Sequence, residues 1–177
     1  MTRHYPSLVG ISVLSAVVTG LGVWLAFLAE LALLPATTST TWTLLVGFVE
    51  EAFIRFLPLI LTFYAWSYWR GRLLSKTEGL FATIASGLTV AGLEILLKLE
   101  YLTQLETTVR FDSLFLPLVF VHLPFALLAG RFVYALGERI HGTAAIGFPS
   151  LSRRTGALLI LGYLVLSLAH VGYNVFA

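Results

Sequence analysis

Two adjacent carboxylates, Glu50 and Glu51, stand inside an apolar stretch that runs from Trp42 to Trp69, with Arg55 four residues beyond the second. An ionisable side chain in such surroundings is costly unless it is paired or wet, so its presence asks for a chemical reason. Later apolar runs add Glu94, His122, and His170 with Asn174. Carboxylates and imidazoles take up and return protons near neutral pH, so this set suits acid–base work on water, a proton relay or ligation of a metal. Residues four apart share a helix face, which turns Glu51 toward Arg55, Glu94 toward Lys98 and His170 toward Asn174. Glu50 lies about 100° around the helix from Glu51, so the two carboxylates do not turn together to lipid and both are expected to face a bundle.

The elements that hold these residues are membrane helices. The chain is 58% hydrophobic and 11% charged, with a mean hydropathy of +0.92, far from the balance of a soluble globular domain. Five apolar stretches approach or exceed the roughly 20 residues that cross a hydrocarbon core: 8–34, 42–69, 79–102, 114–137 and 156–176. These runs are continuous and about twice the length of the alternating strands of a membrane barrel. The first is longer than the core of a secretory signal and is read as a span. The expected architecture is all-α: a polytopic transmembrane helical bundle of about five spans, forming one domain over residues 1–177. Cysteine is absent, which excludes disulfides and thiol catalysis.

The basic residues alternate from one connection to the next. Arg3, then Arg70, Arg72 and Lys76, then Arg139, Arg153 and Arg154, with Arg131 near a helix end, all fall on one side, and only Glu106, Arg110 and Asp112 fall on the other. The positive-inside bias places the amino terminus inside. With a rise of about 1.5 Å per residue, Glu50 and Glu51 lie roughly 12 to 14 Å from the outer end of their span, and Glu94, His122 and His170 come to a similar depth. Side chains from four helices thus reach one level in the outer half of the bilayer.

Glu50-Glu51-x-x-x-Arg55, followed by Phe56-Leu57-Pro58, then a helix with Gly87, Gly92 and Glu94, then His122 with Gly130 eight residues on, then His170-x-x-x-Asn174, resembles the CPBP superfamily of intramembrane proteases. That superfamily includes the type II CAAX prenyl endopeptidases, the Abi family and PrsW, and the likeness covers the second to fifth spans. The acidic Glu94 and the His122 to Gly130 run are closest to the PrsW-like branch, although Val90 and Leu118 stand where its motifs carry other residues. A site in the outer half agrees with the extracytoplasmic action of PrsW.

The resemblance implies an intramembrane endopeptidase that cleaves a membrane-anchored protein or peptide, in the plasma membrane of a prokaryote. Glu50 is expected to activate water, assisted by His122, with Glu51 and Arg55 orienting the site. The roles of Glu50 and Glu51 are interchangeable at this level. The resemblance gives His170 and Asn174 the developing oxyanion and Glu94 a supporting place. No cofactor is needed for that scheme. A zinc-dependent protease with Glu94, His122 and His170 as ligands of Zn²⁺ is the alternative, although no HExxH is present. No GxSG or GxGD occurs, and the lone aspartate, Asp112, excludes an aspartyl dyad within one chain. A non-catalytic membrane scaffold or a proton-linked transporter would also use intramembrane Glu and His. The lipid bilayer is the expected surrounding, and nothing calls for nucleic acid.

Overall fold

In a computed structural model, residues 5–33, 39–104, 111–141 and 153–176 are described. They form α1 (Tyr5–Leu33), α2 (Ser39–Glu50), a π-helical turn (Glu51–Phe56), α3 (Leu57–Arg70), α4 (Lys76–Gln104), α5 (Phe111–His141) and α6 (Arg153–Phe176), with no strand among the described residues. Among the described residues three segments are long and apolar enough to cross a membrane: Ser7–Ala32, Lys76–Leu97 and Arg153–Tyr173. The long rod from Ser39 to Arg70 is absent from that set because the π-helical turn divides it into α-helices of 12 and 14 residues, and Glu50, Glu51 and Arg55 interrupt its apolar run.

The expected second span, 42–69, is therefore one rod but not one regular α-helix. Pro58 is the physical reason. Its missing N–H cannot serve the carbonyl four residues back, and its ring crowds that turn. The backbone widens instead, and the Leu57 N–H donates to the Ala52 carbonyl five residues back. Pro124 produces no such break, since α5 runs through it. The α3 end is set by Gly71, whose φ of 60° lies in the left-handed region that favours glycine. The Gly71 and Arg72 N–H groups donate back to Tyr68 and Ser67, both at 3.2 Å, closing a Schellman motif.

Three residues later Ser75 starts α4 in a reciprocal capping box. The Glu78 N–H donates to Ser75 Oγ at 3.2 Å, and the Ser75 N–H donates to Glu78 Oε2 at 3.0 Å. Buried Glu78 also accepts from Trp66 Nε1 at 3.1 Å and from both terminal nitrogens of Arg72, at 2.7 and 2.8 Å. That hydrogen bond to Glu78 holds the Arg72 guanidinium above its ordinary range. Glu78→Ala removes the cap and leaves the Trp66 donor buried and unpaired. Thermal melts in detergent are expected to register a loss of about 2 kcal/mol, and Glu78→Gln about half of that.

The bundle packs through small and hydroxylated residues, as helices do where lipid supplies no hydrophobic drive between them. Across α1 and α4, Ser15 Oγ donates to the Ala82 carbonyl at 2.6 Å and Thr19 Oγ1 donates to Ser86 Oγ at 2.9 Å. Ile11, Leu59, Phe63, Trp66, Ala82 and Ala129 form the main buried core. Valine and leucine side chains at Val9, Val13, Val17 and Leu21 stand outward along α1. This exposed apolar stripe, opposite the hydroxyls of Ser15 and Thr19 that meet α4, fits a surface facing lipid.

Candidate active site

The six side chains that bear charge or imidazole in the expected set converge through direct contacts, Glu50 at one edge through His170 and Glu94 at the other through His122. The π-helical turn brings Glu51 and Arg55 onto one face, where Arg55 Nη1 donates to Glu51 Oε1. Both side chains are fully buried. Arg55 Nη2 sits 2.5 Å from His122 Nδ1, and Arg55 Nη1 lies 3.4 Å from His170 Nδ1. His170 Nδ1 is 2.9 Å from Glu51 Oε1, and its Nε2 is 3.1 Å from Glu50 Oε2. His122 Nε2 pairs with Glu94 Oε2. The guanidinium also lies over the Phe125 ring, 5.3 Å from its centroid.

Local packing explains why these helices meet here. Gly47 of α2 lets α6 approach, since a Cβ on it would stand 2.5 Å from Val171 Cγ2 and 3.4 Å from the Ser167 carbonyl. Tyr163 Oη donates to the Phe48 carbonyl at 2.7 Å, and its ring meets Phe48 and Phe56 edge-on. These contacts hold His170, two turns along α6 from Tyr163, against the Glu50–Glu51 corner. Gly87 of α4 lies against Leu123 and Ala126 of α5, which brings Glu94 to His122.

Tautomers follow from the partners. Arg55 can only donate, so His122 accepts at Nδ1 and donates from Nε2 to Glu94. The Arg55–Glu51 bond leaves Glu51 Oε1 as an acceptor for His170 Nδ1–H. His170 Nε2 then faces Glu50 Oε2 at 3.1 Å.

The six side chains form two layers. Glu51, Arg55, His122 and His170 are buried, whereas Glu50 and Glu94 keep 28% and 29% of their side-chain surface open. Glu51 Oε2 and Arg55 Nε are buried without a hydrogen-bond partner among the described residues. Such orphaned polar atoms mark a place for water or another polar group. No family model, curated protein or solved structure matches this chain.

Several sequence expectations meet different partners here. The imidazole beside Glu50 is that of His170, not His122, which is engaged by Glu94 and Arg55. Glu94 reaches across to His122, while the side chain of Lys98 lies outside the described residues. So does the side chain of Asn174, although α6 carries the residue. Arg3, Glu106 and Arg110 also lie outside them, as do the side chains of Asp112 and Arg139. Among the described residues, no three of the His, Asp and Glu side chains are disposed to hold a metal ion, Glu94, His122 and His170 included. Phe125 and Tyr163 were not anticipated as parts of the site. Their spacing on α5 and α6, three residues after His122 and seven before His170, is the signal that places them on or near the same faces.

Proposed function

We propose that this chain is an intramembrane endopeptidase of the CPBP kind, nearest its PrsW-like branch, acting from the outer half of the bilayer. The proposal includes five spans with the amino terminus inside and a place in the plasma membrane of a prokaryote. The observation that carries it is the pairing of a partly open carboxylate, Glu50, with an imidazole whose other nitrogen is fixed by a buried carboxylate–guanidinium pair. That arrangement is a base with a tuned and oriented proton partner.

In this reading Glu50 takes a proton from a water molecule, which attacks the carbonyl carbon of a peptide bond in a membrane-anchored protein or peptide. The carbonyl oxygen becomes the oxyanion, and the proton passes to the leaving nitrogen as the C–N bond breaks. His170 Nε2 lies 3.1 Å from Glu50 Oε2, so the pair can hold the proton taken from water until it passes to the leaving nitrogen. Arg55 contributes a fixed positive charge behind the reacting atoms, and Glu51 keeps Arg55 and His170 in register. His122 with Glu94 forms a second carboxylate–imidazole pair at the same depth. Asn174 shares a helix face with His170 and is assigned to the oxyanion by resemblance. The greater exposure of Glu50 supports it, rather than Glu51, as the base.

The test is cleavage of single-span reporter peptides in proteoliposomes by the wild type, Glu50→Gln and His170→Ala. Each substitution is expected to lower the rate about 10²-fold while the protein still folds and inserts. Equal rates in all three proteins overturn the reading. In that case a scaffold held together by ion pairs accounts for the cluster, and pH-driven proton flux in the same vesicles separates a transporter from it.

A further inference from the structure

A second site lies at the other end of the bundle. Between α4 and α5 runs a half-open groove of about 170 Å³, bounded by Lys76, Leu80, Leu127 and Arg131 and floored by Gly79 and Gly130. The floor is nearly bare backbone because the helices are pressed together there. A Cβ on Gly130 would stand 2.2 Å from Thr83 Oγ1, and one on Gly79 would stand 2.9 Å from the Tyr134 ring. Leu80 and Leu127 rise on either side with 49% and 37% of their surface exposed. The result is an apolar trough with two cations along it.

Two other cations of the structure are paired. Arg72 is neutralised by Glu78 and Arg55 by Glu51. Lys76 and Arg131 have no carboxylate partner among the described residues, and Glu78, two residues from Lys76, is already engaged by Arg72, Trp66 and Ser75. Arg131 is exposed among Leu127, Leu128 and Phe132, on a face of the helix otherwise suited to hydrocarbon. A guanidinium on such a face needs an anion or water within reach. Pairing of Gly79 with Tyr134 sets Lys76 and Arg131 about 9 Å apart along the helix axes. Both side chains are long enough to meet at one group between them.

We propose that this groove binds one anionic phospholipid, with its phosphate between Lys76 and Arg131 and part of an acyl chain along the trough. Charge complementarity selects the headgroup, and the bare floor admits the chain. The site follows from the chain lying in a bilayer and is independent of the proteolytic reading.

Native mass spectrometry of the protein released from nanodiscs holding equal phosphatidylglycerol and phosphatidylcholine tests it. The wild type is expected to retain a single phosphatidylglycerol with roughly tenfold preference. Lys76→Gln combined with Arg131→Gln is expected to abolish that preference. The exchange Lys76→Arg with Arg131→Lys keeps it, as does Arg153→Gln with Arg154→Gln at the start of α6. The proposal is overturned by a wild type that retains both lipids equally, by a preference that survives the double glutamine variant, or by an equal loss on substituting Arg153 and Arg154, which would mean diffuse surface attraction.

Discussion

Arg55→Leu is expected to destabilise the bundle by about 3–5 kcal/mol, because it strands the Glu51 carboxylate in a pocket with no other guanidinium or ammonium at hand among the described residues. Glu51 and Arg55 are each fully buried and bonded to one another. Removing only the carboxylate, in Glu51→Leu, leaves the guanidinium in the same position and carries a cost of the same order. The double variant is different. Glu51→Leu with Arg55→Leu removes both charges together, and apolar replacements of buried ion pairs are often neutral or better. A double-mutant cycle in denaturant or thermal unfolding should therefore show a coupling of several kcal/mol. The same proteins separate structure from catalysis. His122 and His170 lose the guanidinium that orders them, so the refolded double variant is expected to be stable and inactive toward reporter peptides. If each single substitution instead leaves stability within about 0.5 kcal/mol of the wild type, the pair is solvated and the electrostatic account of the site fails.

The apolar helices, the all-α architecture of the described residues and the convergence of Glu50, Glu51, Arg55, Glu94, His122 and His170 were legible because each depends on a local property. Uninterrupted apolar runs leave helices as the only plausible elements, and an ionisable group inside such a run declares itself. Equal depth of Glu50, Glu94, His122 and His170 follows from counting along helices of alternating direction. Pairing across helices is another matter. Which imidazole meets Glu50 depends on how α5 and α6 rotate about their axes, and that rotation is set by Gly47, Gly87 and Tyr163, whose contacts are tertiary. Spacing suggested Lys98 for Glu94, yet His122 reaches that carboxylate from another helix. The π-helical turn was hidden for a related reason. Pro58 announces a disturbance of the helix but not its form, and a widened turn is stable only when a neighbour accommodates the displaced carbonyl.

Gly22 is that neighbour, and Gly22→Ala is expected to be damaging where a glycine-to-alanine change inside a helix usually helps. In the widened turn the Phe53 carbonyl loses both of its regular donors. Its α-helical donor, the Leu57 N–H, serves Ala52, and its π-helical donor would be Pro58, which has no N–H. The carbonyl faces α1, where a Cβ on Gly22 would stand 2.0 Å from the Phe53 oxygen and 2.8 Å from Pro58 Cγ. The Gly22 hydrogen that occupies this direction can make a weak Cα–H···O contact, and a methyl group cannot fit. Phe53 is backbone at this point, so relief requires α1 and the turn to move apart. That overpacking is expected to cost about 3 kcal/mol, and a shift of the turn by about 1 Å would lower the proposed cleavage roughly 10²-fold, since Glu51 and Arg55 are built on it. Gly20 and Gly92, in contrast, have nothing within 4 Å of the added atom. Alanine at either is expected to be neutral or to stabilise by up to about 1 kcal/mol through helix propensity alone. Melting the three variants side by side decides the matter: if Gly22→Ala matches Gly20→Ala and Gly92→Ala, the close approach of α1 does not support the π-helical turn.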